Sequence, residues 1–520
     1  MSTFLKGTMV LLAAGFVTRI MGFINRIVIA RIIGAEGVGL FMMTFPTLML
    51  VITITQLGLP VAISKNVAEA QVEGNHRKVK KILVVSLATT ITLSFIFTPA
   101  LFFLAPYLSK TLFTDDRTYL PLLVITPIIP IIAVSSVIRG YFQGKQNMKP
   151  AAYSQMIEQL IRIALIAFFT KAFLPYGIEY AAAGAMLASV IGELSSLIFL
   201  LTAFKLKKSF RLRKQFFQYI HSGRSTLTEL MKVALPTTGS RMIGSIAWFF
   251  EPIVVSHSLY LAGVTAVTAT KQYGALTGFA LPLLFLPSFF TNALSTSLVP
   301  AISEANSQNN QRLIEFRLRQ ALKYTFITGG LAAVVLYVLS DSLMEIMYGS
   351  KNGAYFITLI APFIIFSYYQ GPLQAALQAL NLARAAMINS LIGSIVKIAV
   401  IFVLASQPSL GIIGVALGII VGFVLVTMLH LATVIKKISF TFYLRDYIKT
   451  IIVIVISGMV GHRLNLMNMT SFSLAQKVFI IAIFMTLFYS LLTILFGLVK
   501  KHELLKIPFI GNFLAKLSFR

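Results

Sequence analysis

Apolar runs long enough to cross a bilayer recur from one end of the chain to the other, and the polar residues between them are gathered into short links. A membrane-spanning helix needs roughly 20 predominantly apolar residues. Fourteen stretches approach or exceed that measure: 7–30, 38–63, 82–105, 120–141, 151–174, 178–204, 231–255, 273–298, 321–347, 354–377, 387–405, 411–435, 447–464 and 478–499. The pattern predicts an all-α polytopic membrane protein.

The links alternate in charge. One set carries Lys65, Arg77, Lys78, Lys80 and Lys81, then Lys145 and Lys149, then the run Lys205 to Lys214, and later Arg312, Arg317, Arg319, Arg384, Lys436 and Lys437. In the other set Lys110 and Arg117 are offset by Asp115 and Asp116, and only Lys171, Lys271, Lys351 and Arg463 follow. Cationic links stay on the cytoplasmic side, so both termini are expected there, as an even number of spans also requires. Lys6 and the apolar stretch after it could pass for a signal peptide. The run continues past Arg19 to Ala30, however, and is read as the first span.

Three segments recur. Thr18-Arg19-Ile20-Met21-Gly22 returns as Ser240-Arg241-Met242-Ile243-Gly244, and Leu59–Ser64 as Val299–Ser303. Gln143, Gly144, Gln146, Lys149, Ala151 and Arg162 stand at one constant offset from Gln378, Ala379, Asn381, Arg384, Ala386 and Lys397. The expected organisation is two parallel six-helix halves, 1–204 and 227–435, joined by a basic cytoplasmic linker, 205–226. A terminal helix pair, 436–499, and a basic amphipathic tail, 500–520, complete it. Parallel repeats commonly enclose a central cavity that opens alternately to each side, so alternating-access transport is the function this organisation points to.

Composition supports lipid as the solvent: 57% of residues are hydrophobic and 12% charged, with a mean hydropathy of +0.87. Soluble proteins carry about 25% charged residues. A formal charge of +28 would suggest nucleic acid in a soluble chain. Here the alternation of cationic links assigns it to topology and anionic membrane lipids, and no nucleic-acid partner is expected. With no cysteine, disulfides and thiolate chemistry are excluded.

Ionisable groups inside spans are costly and tend to face cavities. Arg19 and Arg241 fall near mid-span, and Arg26 follows Arg19 by two helical turns, on nearly the same face. Arg162 and Lys397 are the matching cations of the third repeat. These five are candidate substrate-binding residues, since a guanidinium can bond phosphate oxygens bidentately. The competing readings are snorkelling and structural ion pairing. Glu158, Glu193, Glu251 and Lys271 are candidates for coupling or charge pairing. Glu158 stands four residues before Arg162, the spacing of an intrahelical pair. Pro46, Pro60, Pro236, Pro252, Pro282 and Pro287 mark potential hinges. No P-loop occurs, the six histidines show no metal-ligand spacing, and no outer link is long enough for a catalytic domain. Neither a cofactor, a metal nor an enzymatic activity is expected.

Thr18-Arg19-Ile20-Met21-Gly22-Phe23, continuing into Ala30-Arg31-Ile32-Ile33-Gly34-Ala35, resembles the polysaccharide-transporter and lipid II flippase branch of the multidrug/oligosaccharidyl-lipid/polysaccharide (MOP) exporter superfamily. So do Leu59–Ser64, Tyr273-Gly274-Ala275 and Leu298–Ala305. The likeness extends over the whole chain, including fourteen spans grouped six, six and two. It implies a bacterial cell-membrane flippase moving an undecaprenyl-pyrophosphate-linked saccharide such as lipid II to the outer leaflet, with a role in peptidoglycan synthesis. The family's first-helix arginines line its cavity; Arg19 matches one, while Asn25 occupies the position of a second, with Arg26 beside it. An eighth-helix arginine has no match, leaving Lys271 and Arg241 as candidates. The terminal helix pair would flank a groove for the prenyl tail. Two alternatives stand beside this reading. One is an organic-cation antiporter of the same superfamily, which needs an acidic, aromatic cavity. The other is a membrane scaffold whose partners are peptidoglycan synthases.

Overall fold

Breaks in long apolar runs decide where the helices of this protein begin and end. In the computed structural model, α1 (Thr3–Gln56) runs through the first two expected spans and is interrupted at Gly34, whose φ of 63° and ψ of −170° lie outside the helical region. Leu57 and Gly58, both at positive φ, then turn the chain into α2 (Leu59–Val72). The structure describes residues 3–207, 216–438, 440, 441, 443–467, 472–499 and 505, with side chains from residue 15 onward except that of residue 240. The expected tail therefore lies outside the described residues apart from Leu505, as does part of the basic linker.

The remaining helices are α3 (His76–Tyr107), α4 (Tyr119–Ile125), α5 (Ile128–Gly144), α6 (Lys149–Phe173), α7 (Ile178–Lys207), α8 (Phe216–His221), α9 (Arg224–Leu261), α10 (Ala266–Tyr273), α11 (Leu281–Phe285) and α12 (Ser288–Ser307). They continue with α13 (Gln311–Val338), α14 (Ser340–Tyr348), α15 (Ala354–Ile360), α16 (Ile364–Ala379), α17 (Ala383–Ala405), α18 (Ile412–Lys437), α19 (Leu444–Leu466) and α20 (Leu474–Leu495). There is no strand among the described residues.

Ten helical stretches are long and apolar enough to cross a membrane, or twelve if each of two bent pairs counts as one span. The expected fourteen is not reached by that measure, for two physical reasons. Gly15–Val72, 58 residues long, would measure ~87 Å as one straight helix, against a hydrocarbon core of ~30 Å. The break at Gly34 divides it. Helix α6 carries Lys149, Glu158, Arg162 and Lys171 and is too polar to qualify. Of the six prolines expected to act as hinges, Pro287 stands at a bend of 54° between Ala266–Phe285 and Ser288–Ser307. Pro60 opens α2, and Pro46, Pro236 and Pro252 are accommodated inside helices.

The chain divides into two compact units, 1–278 and 279–520. In the first, Leu59, Ile63, Tyr141, Phe142, Leu200 and Leu230 belong to one core cluster. In the second, Leu298, Ile302, Leu318, Leu377 and Val434 play the corresponding part. Local geometry repeats between the units. Asn75 and Asn310 each cap the next helix, accepting from the backbone N–H three residues on at 3.0 Å. Gln146 and Asn381 both adopt positive φ, 55° and 61°, in equivalent turns.

Close helix pairs repeat as well. A Cβ on Gly184 or Gly192 of α7 would press against α6 at Phe169 O or Glu158 O, each 3.0 Å away. On α18 the same holds for Gly414 against the Leu404 carbonyl carbon (2.5 Å), and for Gly418 and Gly422 against Ile401 and Lys397. Small residues at four-residue spacing let helix backbones approach in lipid, where no hydrophobic force drives helices together. The second recurring segment fares differently. Pro60 begins a helix, whereas Pro300 lies inside α12. Aligned on these prolines, the two segments are out of step with the equivalent Asn75 and Asn310 caps.

The terminal pair α19 and α20 is fastened by two lysines. Lys449 Nζ donates to Phe496 O at the end of α20 (2.5 Å), and Lys477 Nζ donates to Asn465 O (2.7 Å) and Met467 O (3.1 Å) at the end of α19. Each lysine supplies a donor to carbonyls that a helix C-terminus leaves without partners.

Candidate functional site: intramembrane charges and an apolar groove

Arg19 and Arg26 on α1 and Arg241 on α9 are exposed. Arg19 and Arg241 take part in none of the ion pairs among the described residues, and α9 meets the part of α1 beyond the Gly34 break, where the Thr53 and Ser245 hydroxyls lie 2.9 Å apart. Asn25, beside Arg26, is buried with its Oδ1 unpartnered. Each of Arg19 and Arg241 sits near the middle of its helix. Counted from the helix-ending breaks, however, Arg19 precedes Gly34 by 15 residues and Arg241 precedes Gly263 by 22. The two counts differ by seven residues. Seven residues are close to two full turns, so the face is retained.

Arg162 is placed differently. Its Nη1 lies 3.2 Å from Glu158 Oε1, the intrahelical pair expected from their spacing. Sequence reasoning missed the partner that completes this cluster. Arg139 of α5 directs Nη2 to Glu193 Oε1 at 3.0 Å and to Ser196 Oγ at 2.9 Å, with Glu158 Oε2 at 3.6 Å. Three helices, α5, α6 and α7, thus bring two arginines and two glutamates together. Their side chains are 5–20% exposed. Arg139 is an ionisable residue within an apolar run, the very signal that marked the other cations. Lys397 is half-buried, and its stem packs over Gly422 as that of Arg162 does over Gly192. Glu251 is buried near Tyr273, while Lys271 is exposed on α10.

A second polar cluster lies at the α3–α4 link. Arg117 pairs with Asp115 (Nη2–Oδ2 2.8 Å) and with Glu36, two residues past the Gly34 break. Thr270 Oγ1 of α10 donates to Asp115 Oδ2 at 2.6 Å. Burial alone would push the Asp115 carboxyl up. Hydrogen bonds from Arg117 and Thr270 and the charge of Arg117 outweigh it and hold the group below the ordinary carboxylate value. Here α1 and α10 meet backbone to backbone: a Cβ on Gly39 would sit 2.0 Å from Thr270 O, and one on Gly274 1.9 Å from Ala35 O.

The second unit holds an apolar groove of about 770 Å3 between α13, α16, α18 and α19. Leu322, Phe326, Tyr369, Leu431, Val455 and Gly458 are among its lining residues. On α19 it runs from Leu444 to His462, a rise of ~27 Å, close to the thickness of a bilayer core.

Residues 4–306 match the family described as polysaccharide biosynthesis protein, and residues 248–403 match the MatE family. Stage V sporulation protein B of Bacillus subtilis (strain 168) is 56% identical over 517 residues, 99% of each chain. The chain belongs to the polysaccharide biosynthesis protein family. This places it in the MOP superfamily of membrane transporters, as a multi-pass membrane protein and not an enzyme. Another family relative, lipid II flippase MurJ of Bacillus subtilis (strain 168), is 24% identical and aligns over 88% of this chain and 87% of its own. Among solved structures, lipid II flippase MurJ in an inward closed conformation has a TM-score of 0.69 at 18% identity, covering 93% of this chain and 98% of that one. An inward-facing multidrug resistance MATE family transporter has a TM-score of 0.65 at 17% identity, covering 81% and 94%. These likenesses show a shared transporter fold.

Proposed function

We propose that this polysaccharide-family transporter flips an undecaprenyl-pyrophosphate-linked saccharide of the lipid II class from the inner to the outer leaflet by alternating access, in service of spore cortex peptidoglycan. The observation that carries the reading is the pair of mid-helix arginines, Arg19 on α1 and Arg241 on α9, both exposed and outside every ion pair of the described residues. A bare guanidinium within a membrane needs an anion or water to offset its desolvation, and pyrophosphate suits its planar fork. The apolar groove supplies the other half of the chemistry, since it can shelter a long prenyl chain but offers little to a sugar. The high identity to a stage V sporulation protein supports the cortex setting. An organic-cation antiporter would require acidic groups where these exposed arginines stand.

The test is reconstitution in liposomes with a fluorescent undecaprenyl-pyrophosphate-linked saccharide, scoring its exposure in the outer leaflet. Arg19→Ala and Arg241→Ala should each slow flipping about tenfold or more, the worth of a lost charge-assisted contact of roughly 1.5–3 kcal/mol. Val455→Trp, which fills the groove, should slow it as well. A folded wild type that flips nothing would sink the proposal in favour of a scaffold for peptidoglycan synthases.

A further inference from the structure

The four-charge cluster of α5, α6 and α7 has features that an ion pair built only to hold helices together would lack. Arg139 Nη2 faces both carboxylates, Glu193 Oε1 at 3.0 Å and Glu158 Oε2 at 3.6 Å, so the two acids share one guanidinium nitrogen. Ser135, fully buried, sits by the Glu193 carboxyl. The Nε atoms of Arg139 and Arg162 are buried without partners. A buried polar network left partly unsatisfied needs an explanation beyond helix packing.

The second unit provides an internal control. At the offset relating Arg162 to Lys397, Arg139 corresponds to Gln374 and Glu158 to Gly393. The glycine stripes that pair Gly192 with Gly422 set Glu193 opposite Phe423. There α17 and α18 pack closely with Val426 against Gly393 and no carboxylate. The same helix packing is thus built without the acids, so packing does not explain their presence.

We propose that Glu158 and Glu193 form a proton-binding site, holding one exchangeable proton between their carboxyl groups beside Arg139. The proton comes from water and adds to a carboxylate oxygen. Without it, two glutamates and two arginines sum to zero; with it, the cluster carries one net positive charge. The other ionisable groups on the elements packed around it are few. Helix α1 contributes Arg19, Arg26, Arg31 and Glu36, α2 its Lys65–Glu69 pair, and α3 His76 and the cations of its first two turns; α4 has no charged residue, and α6 and α7 add Lys149, Lys171, Glu179, Lys205 and Lys207 near their ends. A bound proton therefore raises a local field that is already positive and favours an anionic cargo. By linkage, the cargo favours the proton by the same factor. This coupling rests on the flippase reading; the proton site itself does not.

Infrared difference spectra of the full-length protein in nanodiscs, recorded across a pH series, test the site directly. Wild type should show a carboxyl C=O band that titrates and shifts in heavy water, and both Glu193→Gln and Glu158→Gln should remove it. No such band in folded wild type, or a band that survives in both variants, overturns the proposal. If one glutamine variant does not fold, the other decides, with Glu193→Asp expected to restore a titrating band. In liposomes, an imposed pH gradient should change wild-type flipping at least tenfold, and Glu193→Gln should abolish that response. Wild-type flipping indifferent to the gradient overturns the coupling. A titrating band in a protein that flips nothing leaves the proton site standing and sinks the flippase reading.

Discussion

Asp115 shows how a single side chain ties distant parts of the first unit together. It is 4% exposed, and it accepts from Arg117 of its own link and from Thr270 of α10. Its carboxyl is held below its ordinary value, so the stability it contributes is fully present above the unfolded value of ~3.9 and is lost as pH falls through the lower folded value. Asp115→Asn should cost roughly 1.5–3 kcal/mol at neutral pH, as for other hydrogen bonds to charged groups. It should also flatten the acid limb of a thermal-melting profile. An unchanged profile between wild type and variant would show that the contact contributes nothing. The local sequence reads Asp115, Asp116 and Arg117 as a charge-balanced link; their long-range partners Glu36 and Thr270 lie far away in sequence and have no local signature.

At the scale of the element, the most informative residues are small. Gly414 and Gly418 on α18 are points where a neighbouring helix comes too close for a Cβ, and at Gly184 and Gly192 on α7 and Gly422 on α18 the fit would be tight. Gly414→Ala would set a methyl 2.5 Å from the Leu404 carbonyl carbon, and backbone cannot yield as a flexible side chain does. Such overpacking costs ~1–3 kcal/mol, so the variant in detergent should melt at a lower temperature. Gly22→Ala, with open space where its Cβ would go, should melt like wild type. Equal melting of the two variants would refute the close-packing account. The four-residue spacing was legible in the sequence, but hydropathy alone does not separate glycines that pack from those, like Gly22, that do not.

At the scale of the whole molecule, the alternation of cationic links predicts a topology that the absence of cysteine makes simple to test. In a chain with no thiol of its own, Lys78→Cys should react with an impermeant maleimide only from the cytoplasmic side. Asp116→Cys should react only from outside. Labelling of both from the same side would invert or break the expected order of spans. The all-helical membrane class, most of the helical stretches, the recurrence that sets Gln146 against Asn381 and the pairing of Glu158 with Arg162 all follow from the sequence alone. Each rests on hydropathy, on recurring segments or on neighbours within one helix, all of which the chain itself displays. Only the tertiary structure decided that Arg139 joins that pair to Glu193, that Arg19 and Arg241 stay outside the ion pairs of the described residues, and that Pro300 does not repeat the role of Pro60. It also decided that four helices of the second unit leave a groove between them. Those outcomes depend on which helix faces which, and at what depth, and bilayer hydropathy is blind to both because lipid rewards an apolar surface equally on every side.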